Sequence, residues 1–141
     1  MSNIVRKRAV SILLLDLGIF IKSLYLLMKP RVMSLVIFTC TVGLLTSPNQ
    51  ISLFNSLISI FFVAMGAGAA GTLNMWYEAD LDSLMTRTCL RPIPTGKINK
   101  DYALIYGIIL SIVSIFGLYY FSNILSATLL FITIAFYVFV Y

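Results

Sequence analysis

Two stretches without a single charged side chain, Val32 to Tyr77 and Tyr102 to Tyr141, constrain this chain more than any other feature. A helix crosses the hydrocarbon core of a bilayer in about 20 residues. Each stretch therefore has room for two spans and a short turn. "TSPNQ", Thr46 to Gln50, is the turn predicted for the first stretch, and "SN", Ser122 and Asn123, for the second. The predicted spans start at Pro30, at about Ile51, at Tyr102 and at Ile124. Composition agrees. With 60% hydrophobic and 11% charged residues and a mean hydropathy of +1.00, the chain is too apolar for a soluble domain of this size. The expected fold class is all-α, a multi-pass transmembrane helical bundle with four spans.

The first span is short. Val32 to Thr46 would cover only about 22 Å at the usual helical rise. A start at Pro30, favoured at the first helical position, and snorkelling of Lys29 and Arg31 to the headgroups make up the length. Ahead of it, Ala9 to Met28 is apolar but interrupted by Asp16 and Lys22. Residues 1–28 read as a basic N-terminal and interfacial segment lying on the membrane, and 29–141 as the membrane domain. Arg6, Lys7 and Arg8 ahead of "AVSILLL" are also compatible with a signal peptide, but Asp16 interrupts the apolar region and no small-residue cleavage site follows.

Basic residues set the orientation. Arg6, Lys7, Arg8, Lys22, Lys29 and Arg31 precede the first span, and Arg87, Arg91, Lys97 and Lys100 lie between the second and third. Two spans separate these regions, so both face one side, which the positive-inside rule makes the cytoplasm. This asymmetry accounts for the net charge of +5 without a nucleic-acid partner. Cys40 lies inside the first span and Cys89 in a loop, depths that do not suit a disulfide. The chain has no histidine, the usual metal and haem ligand.

Three of the five acidic residues, Glu78, Asp80 and Asp82, fall in "NMWYEADLD", directly after the second span. On a continued helix Asn74, Glu78 and Asp82 share one face at four-residue spacing, and Asp80 points away. Carboxylates at a helix C-terminus oppose the macrodipole and repel each other. A divalent cation reverses that balance, and Mg²⁺ suits one or two carboxylates, an amide oxygen and phosphate oxygens. "RTCLRPIPTGKI" adds Arg87, Arg91 and Lys97, with Pro92, Pro94 and Gly96 against a regular helix. Such cations beside metal-binding carboxylates suit a polyanion that brings its own Mg²⁺, diphosphate above all. The plainer readings are a hydrated acidic loop paired with nearby arginines, and cations that serve only membrane orientation. "AMGAGAAG", Ala64 to Gly71, suits close helix packing or a groove for a lipid-like substrate. Trp76 and Tyr77 read as interface anchors.

"NMWYEADLDSLMTRTCLRPIPTGKI" resembles the first aspartate-rich motif and following loop of the UbiA-type intramembrane prenyltransferases, with Glu78 where that pattern often has Asp. "MKPRVMSL", Met28 to Leu35, resembles the branch of that family that farnesylates haem. The resemblance runs from about Lys29 to Ile98 and implies a nine-span bundle in a bacterial cytoplasmic membrane. It implies that Asn74, Glu78 and Asp82, with Asp80 as a further candidate, bind Mg²⁺–diphosphate while Arg87, Arg91 and Lys97 support the phosphates. The implied substrates are farnesyl diphosphate and protoheme IX, and the implied product is heme O. A quinone or chlorin acceptor would use the same diphosphate half-site, and a non-catalytic cation-binding or structural membrane subunit is the reading outside enzymes. Family members carry a second aspartate-rich motif. The expectation is a truncated or split form with half a site, completed by a second half-chain or another copy.

Overall fold

The computed structural model describes residues 2–48 and 52–140, with side chains from residue 14 onward. The side chains of Arg6, Lys7 and Arg8, the turn residues Asn49 and Gln50, the predicted span start Ile51 and the terminal Tyr141 lie outside the described residues. The elements are all helical: α1 (Ser2–Leu27), α2 (Pro30–Thr46), α3 (Leu53–Tyr77), α4 (Ala79–Leu84), α5 (Lys100–Phe121) and α6 (Ile124–Phe139).

Helix boundaries follow local chemistry. Pro30 opens α2, where its missing N–H costs nothing. Asn99 and Asn123 cap α5 and α6, their side-chain oxygens accepting from the backbone N–H of Asp101 (3.1 Å) and Ser126 (2.7 Å). Inside the helices, hydroxyls bond back to the preceding turn, as Thr41 does to Ile37 (2.8 Å) and Thr72 to Gly68 (2.9 Å). These hydroxyls are thereby satisfied in an apolar surround, whereas the buried Ser59 hydroxyl of α3 has no hydrogen-bond partner among the described residues.

Helix α3 is the hub, packed against α2, α5 and α6 and touching α1. Its small residues allow this. A Cβ on Gly66 would lie 2.7 Å from Leu130 of α6, and one on Gly107 of α5 the same distance from Leu73. Ala70, Leu118, Leu130, Ile134 and Val138 form the main core between α3, α5 and α6. A second cluster of Leu27, Met75, Ile98 and Ala103 sits at the other end, beneath the acidic motif. Outward faces are apolar too: Leu45 is 80% exposed, and Leu35, Phe38, Ile112 and Phe116 are also exposed. Such a surface suits lipid or a further apolar partner.

Of the four expected spans, α3 and α5 are individually long and apolar enough to cross a membrane. Helices α1 and α2 meet that test only together, as residues Leu14–Leu27 and Pro30–Thr46 joined at a 52° bend. Helix α6 is apolar but, at 16 residues, shorter.

Candidate metal–diphosphate site

Helix α3 does not run straight through the acidic motif. It ends at Tyr77, and Glu78 takes φ −85° and ψ 3° before the six-residue α4 begins. Yet the four-residue ladder survives the break. The Glu78 N–H donates to the Asn74 carbonyl (2.9 Å), and the Asp82 N–H to the Glu78 carbonyl (2.8 Å). Glu78 and Asp82 therefore stay on one side, as their spacing predicts, and one Arg91 nitrogen reaches both. Its Nη1 lies 2.6 Å from Asp82 Oδ2, 2.8 Å from Asp82 Oδ1 and 3.9 Å from Glu78 Oε2. Asn74 and Asp82 are buried, at 1% and 3% exposure. Asp80 points away, 89% exposed, and pairs with Lys100 Nζ at 3.0 Å.

The loop between α4 and α5 is a chain of turns that folds back over the cluster. Thr88 Oγ1 donates to the Asp82 carbonyl (3.1 Å), and the N–H groups of Lys97 and Ile98 both donate to the Pro92 carbonyl. Gly96 supplies the left-handed residue, with φ 72°, that closes the last turn. The outcome separates the three cations read from this loop. Arg91 is brought into the cluster. Arg87 and Lys97 are exposed and take part in none of the ion pairs among the described residues.

A cation from elsewhere takes their place. Lys29, read from the sequence as snorkelling to the headgroups, is half-buried and donates from Nζ to Asn74 Oδ1 at 2.5 Å. Burial lowers its pKa from the ordinary lysine value. The neighbouring Arg91 adds to that effect, and Glu78 and Asp82 oppose it. Its placement depends on the α1–α2 joint. Met28 lies over Gly71, where an added Cβ would come within 3.2 Å of the Met28 carbonyl oxygen, and Tyr106 Oη donates to Met28 Sδ at 3.4 Å. The joint is held against α3 one turn before Asn74. The sequence hints were a lysine immediately ahead of the proline that opens a span and its place in "MKPRVMSL".

Lys29 faces two environments. On one side is the polar cluster; on the other is a cleft of about 100 Å³ between α2, α3 and α6, lined by Val32, Val63, Gly66, Ala70 and Tyr137 among others. The small residues of α3 thus serve packing and form a wall of this apolar cleft.

The donor types suit a hard divalent cation: two carboxylates and one amide oxygen, the remaining ligands being water or phosphate oxygens. Among the described residues no group of three Asp, Glu, Cys or His side chains is placed to hold a metal, so the carboxylates would need oxygen ligands of other kinds. Cys40 and Cys89 are free thiols.

Residues 35–141 match the model of the UbiA prenyltransferase family. The protoheme IX farnesyltransferase of Pelagibacter ubique is 65% identical over 118 residues, which cover 84% of this chain and 39% of that protein. Protoheme IX farnesyltransferase 2 of Mesorhizobium japonicum is 52% identical over 117 residues, covering 83% and 37%. The protein of the first name from Bartonella bacilliformis is 51% identical over 115 residues, covering 82% and 37%. The chain spans about two-fifths of the length of these curated relatives. No solved structure matches it. The chain belongs to the UbiA prenyltransferase family.

Proposed function

We propose that this chain carries the diphosphate-binding half of a site that transfers a farnesyl group from farnesyl diphosphate to a vinyl group of protoheme IX, giving heme O and diphosphate. The observation that carries the reading is the convergence of buried Asn74 and Asp82 with Glu78, Arg91 and Lys29 at the edge of an apolar cleft. A prenyl diphosphate has the same division, a polyanionic head on a hydrocarbon tail.

Asn74, Glu78 and Asp82 are the proposed ligands of Mg²⁺, which when bound supplies Lewis-acid neutralisation of the leaving diphosphate. Arg91 is placed to exchange its carboxylate partners for phosphate oxygens, a geometry its fork of donors suits. Arg87 and Lys97, both exposed, raise the local positive potential that draws a polyanion to the loop. Asp80 is left outside the metal face by its pairing with Lys100. The apolar walls of the cleft keep water from the allylic carbon during ionisation. A further set of helices, from more chain or another copy, closes the exposed side and supplies the rest of the haem pocket. The bundle sits in the bacterial cytoplasmic membrane with the cluster at its cytoplasmic face, and α1 lies along the interface.

The test is Asp→Asn at the position of the Pelagibacter relative aligned with Asp82, with membrane insertion checked and haems separated by chromatography. Heme O formation falls at least about a hundredfold, whereas the change aligned with Asp80→Asn has a much smaller effect. Full activity in both variants returns the cluster to a paired surface loop.

A further inference from the structure

The Lys29 ammonium occupies the same Asn74 oxygen that the proposed function gives to Mg²⁺. The two cannot share it comfortably, because a divalent cation and an ammonium on one amide oxygen repel strongly in a buried site. We infer that Lys29 is a substrate-binding residue that changes partners: it holds Asn74 while no diphosphate is present and moves onto the diphosphate when the metal takes that oxygen. This rests on the diphosphate reading of the site and adds to it the residue that meets the phosphate next to the hydrocarbon tail.

Backbone cost is the first support. Lys29 has φ 51° and ψ 65°, the left-handed conformation, and is the only non-glycine residue at positive φ among the described residues. Glycine would make that turn without strain. A lysine there, immediately before a proline, puts the cost into a side chain aimed at the cluster.

Charge balance is the second. Without metal, the carboxylates of Glu78 and Asp82 face the cations of Arg91 and Lys29, and the four charges cancel. A divalent ion then leaves a surplus of two positive charges. A diphosphate ester supplies the missing negative charge, so metal and diphosphate are expected to bind together rather than singly.

Position is the third. Lys29 belongs both to the cluster and to the wall of the apolar cleft. It stands where the bond between a diphosphate head and its hydrocarbon tail would lie. Its Nζ also lies 5.6 Å from the centre of the Tyr137 ring, a face that can hold the ammonium during the exchange. A flexible four-carbon stem lets the charge travel while the backbone stays fixed.

The experiment uses the chain in lipid nanodiscs and two probes: Mn²⁺ alone, followed by electron paramagnetic resonance, and inorganic pyrophosphate with Mg²⁺, followed by calorimetry. Emission from Trp76, the single tryptophan, reports that each variant is folded. Lys29→Met is expected to bind Mn²⁺ alone at least as tightly as the unmodified chain, while its pyrophosphate affinity falls about tenfold, or about 1.4 kcal/mol. Lys29→Arg keeps most of the pyrophosphate affinity. If Lys29→Met does not fold, Lys29→Gln, which can still donate to Asn74 without a charge, must show the same loss. A residue that merely props Asn74 would weaken both probes together, and that result overturns the inference. So does undiminished pyrophosphate binding in Lys29→Met, or in Lys29→Gln where that variant stands in. A folded, unmodified chain that binds no pyrophosphate at all removes the diphosphate site itself, and the inference with it.

Discussion

At its N-terminal end α3 begins with Ser52 accepting from the Asn55 N–H (3.3 Å), followed by Leu53, Phe54 and Leu57, all exposed and apolar. At its C-terminal end the same helix buries Asn74 and closes on Glu78 against the negative pole of its own dipole, with the Asp82 carboxylate following in α4 on the same side. The first end needs only a cap and an apolar surround. The second is unfavourable on local grounds and is held by cations brought from outside the helix, Lys29 from the α1–α2 joint and Arg91 from the following loop. An arrangement that local electrostatics opposes and tertiary structure supports is consistent with the proposed metal–diphosphate site.

The largest expected contrast between the two ends is their side of the membrane. A reporter fused near Lys97 is expected to read as cytoplasmic and one near Pro48 as external. A cytoplasmic Pro48 would mean that α3 does not cross and that its two ends share one side.

Next in size is Arg91→Ala. It removes the cation that touches both carboxylate oxygens of a residue only 3% exposed. Loss of about 3 kcal/mol is expected in detergent unfolding followed by Trp76 emission. A loss below about 1 kcal/mol would mean that the pair behaves as a surface ion pair already screened by water.

Gly71→Ala sharpens the link between packing and site. The added methyl presses on the Met28 carbonyl, shifts the joint and draws Lys29 from Asn74. The cost is about 1–2 kcal/mol of stability, with pyrophosphate affinity falling up to about tenfold. Gly43→Ala on α2, where an added Cβ meets nothing within 4 Å, leaves pyrophosphate affinity unchanged and gains up to about 1 kcal/mol from the higher helix preference of alanine. The smallest effect belongs to the opposite end: Ser52→Ala costs about 1 kcal/mol as a lost cap and leaves pyrophosphate binding as it was.

How much of this was legible in the sequence depends on how far the information had to travel. Glu78 and Asp82 on one side and Asp80 outside could be read from four-residue spacing, because the backbone ladder continues through the break at Glu78. The break itself could not be read, since no glycine or proline marks it. Arg91 and Lys97 lie in one loop, and only the fold-back of its turns decides that the first enters and the second does not. Lys29 was the hardest. It is forty-five residues from Asn74, and its approach depends on Met28 docking over Gly71 and on an unusual φ. The apolar helices were easy to find from two uncharged runs. The break between α1 and α2 was marked by Pro30, but its 52° angle was not legible, because it depends on how Met28 packs against α3.

Whether the acidic end of α3 binds a metal–diphosphate pair, as proposed, is decided by calorimetry with inorganic pyrophosphate. The chain in nanodiscs is titrated with Mg²⁺ present, with Mg²⁺ removed by chelation, and as the Asp82→Asn variant. Saturable binding that needs Mg²⁺ and is lost in Asp82→Asn is the predicted result. Binding that persists without metal, or that is unchanged in Asp82→Asn, would rule out a metal–diphosphate site and leave the cluster as charged pairs at a membrane edge.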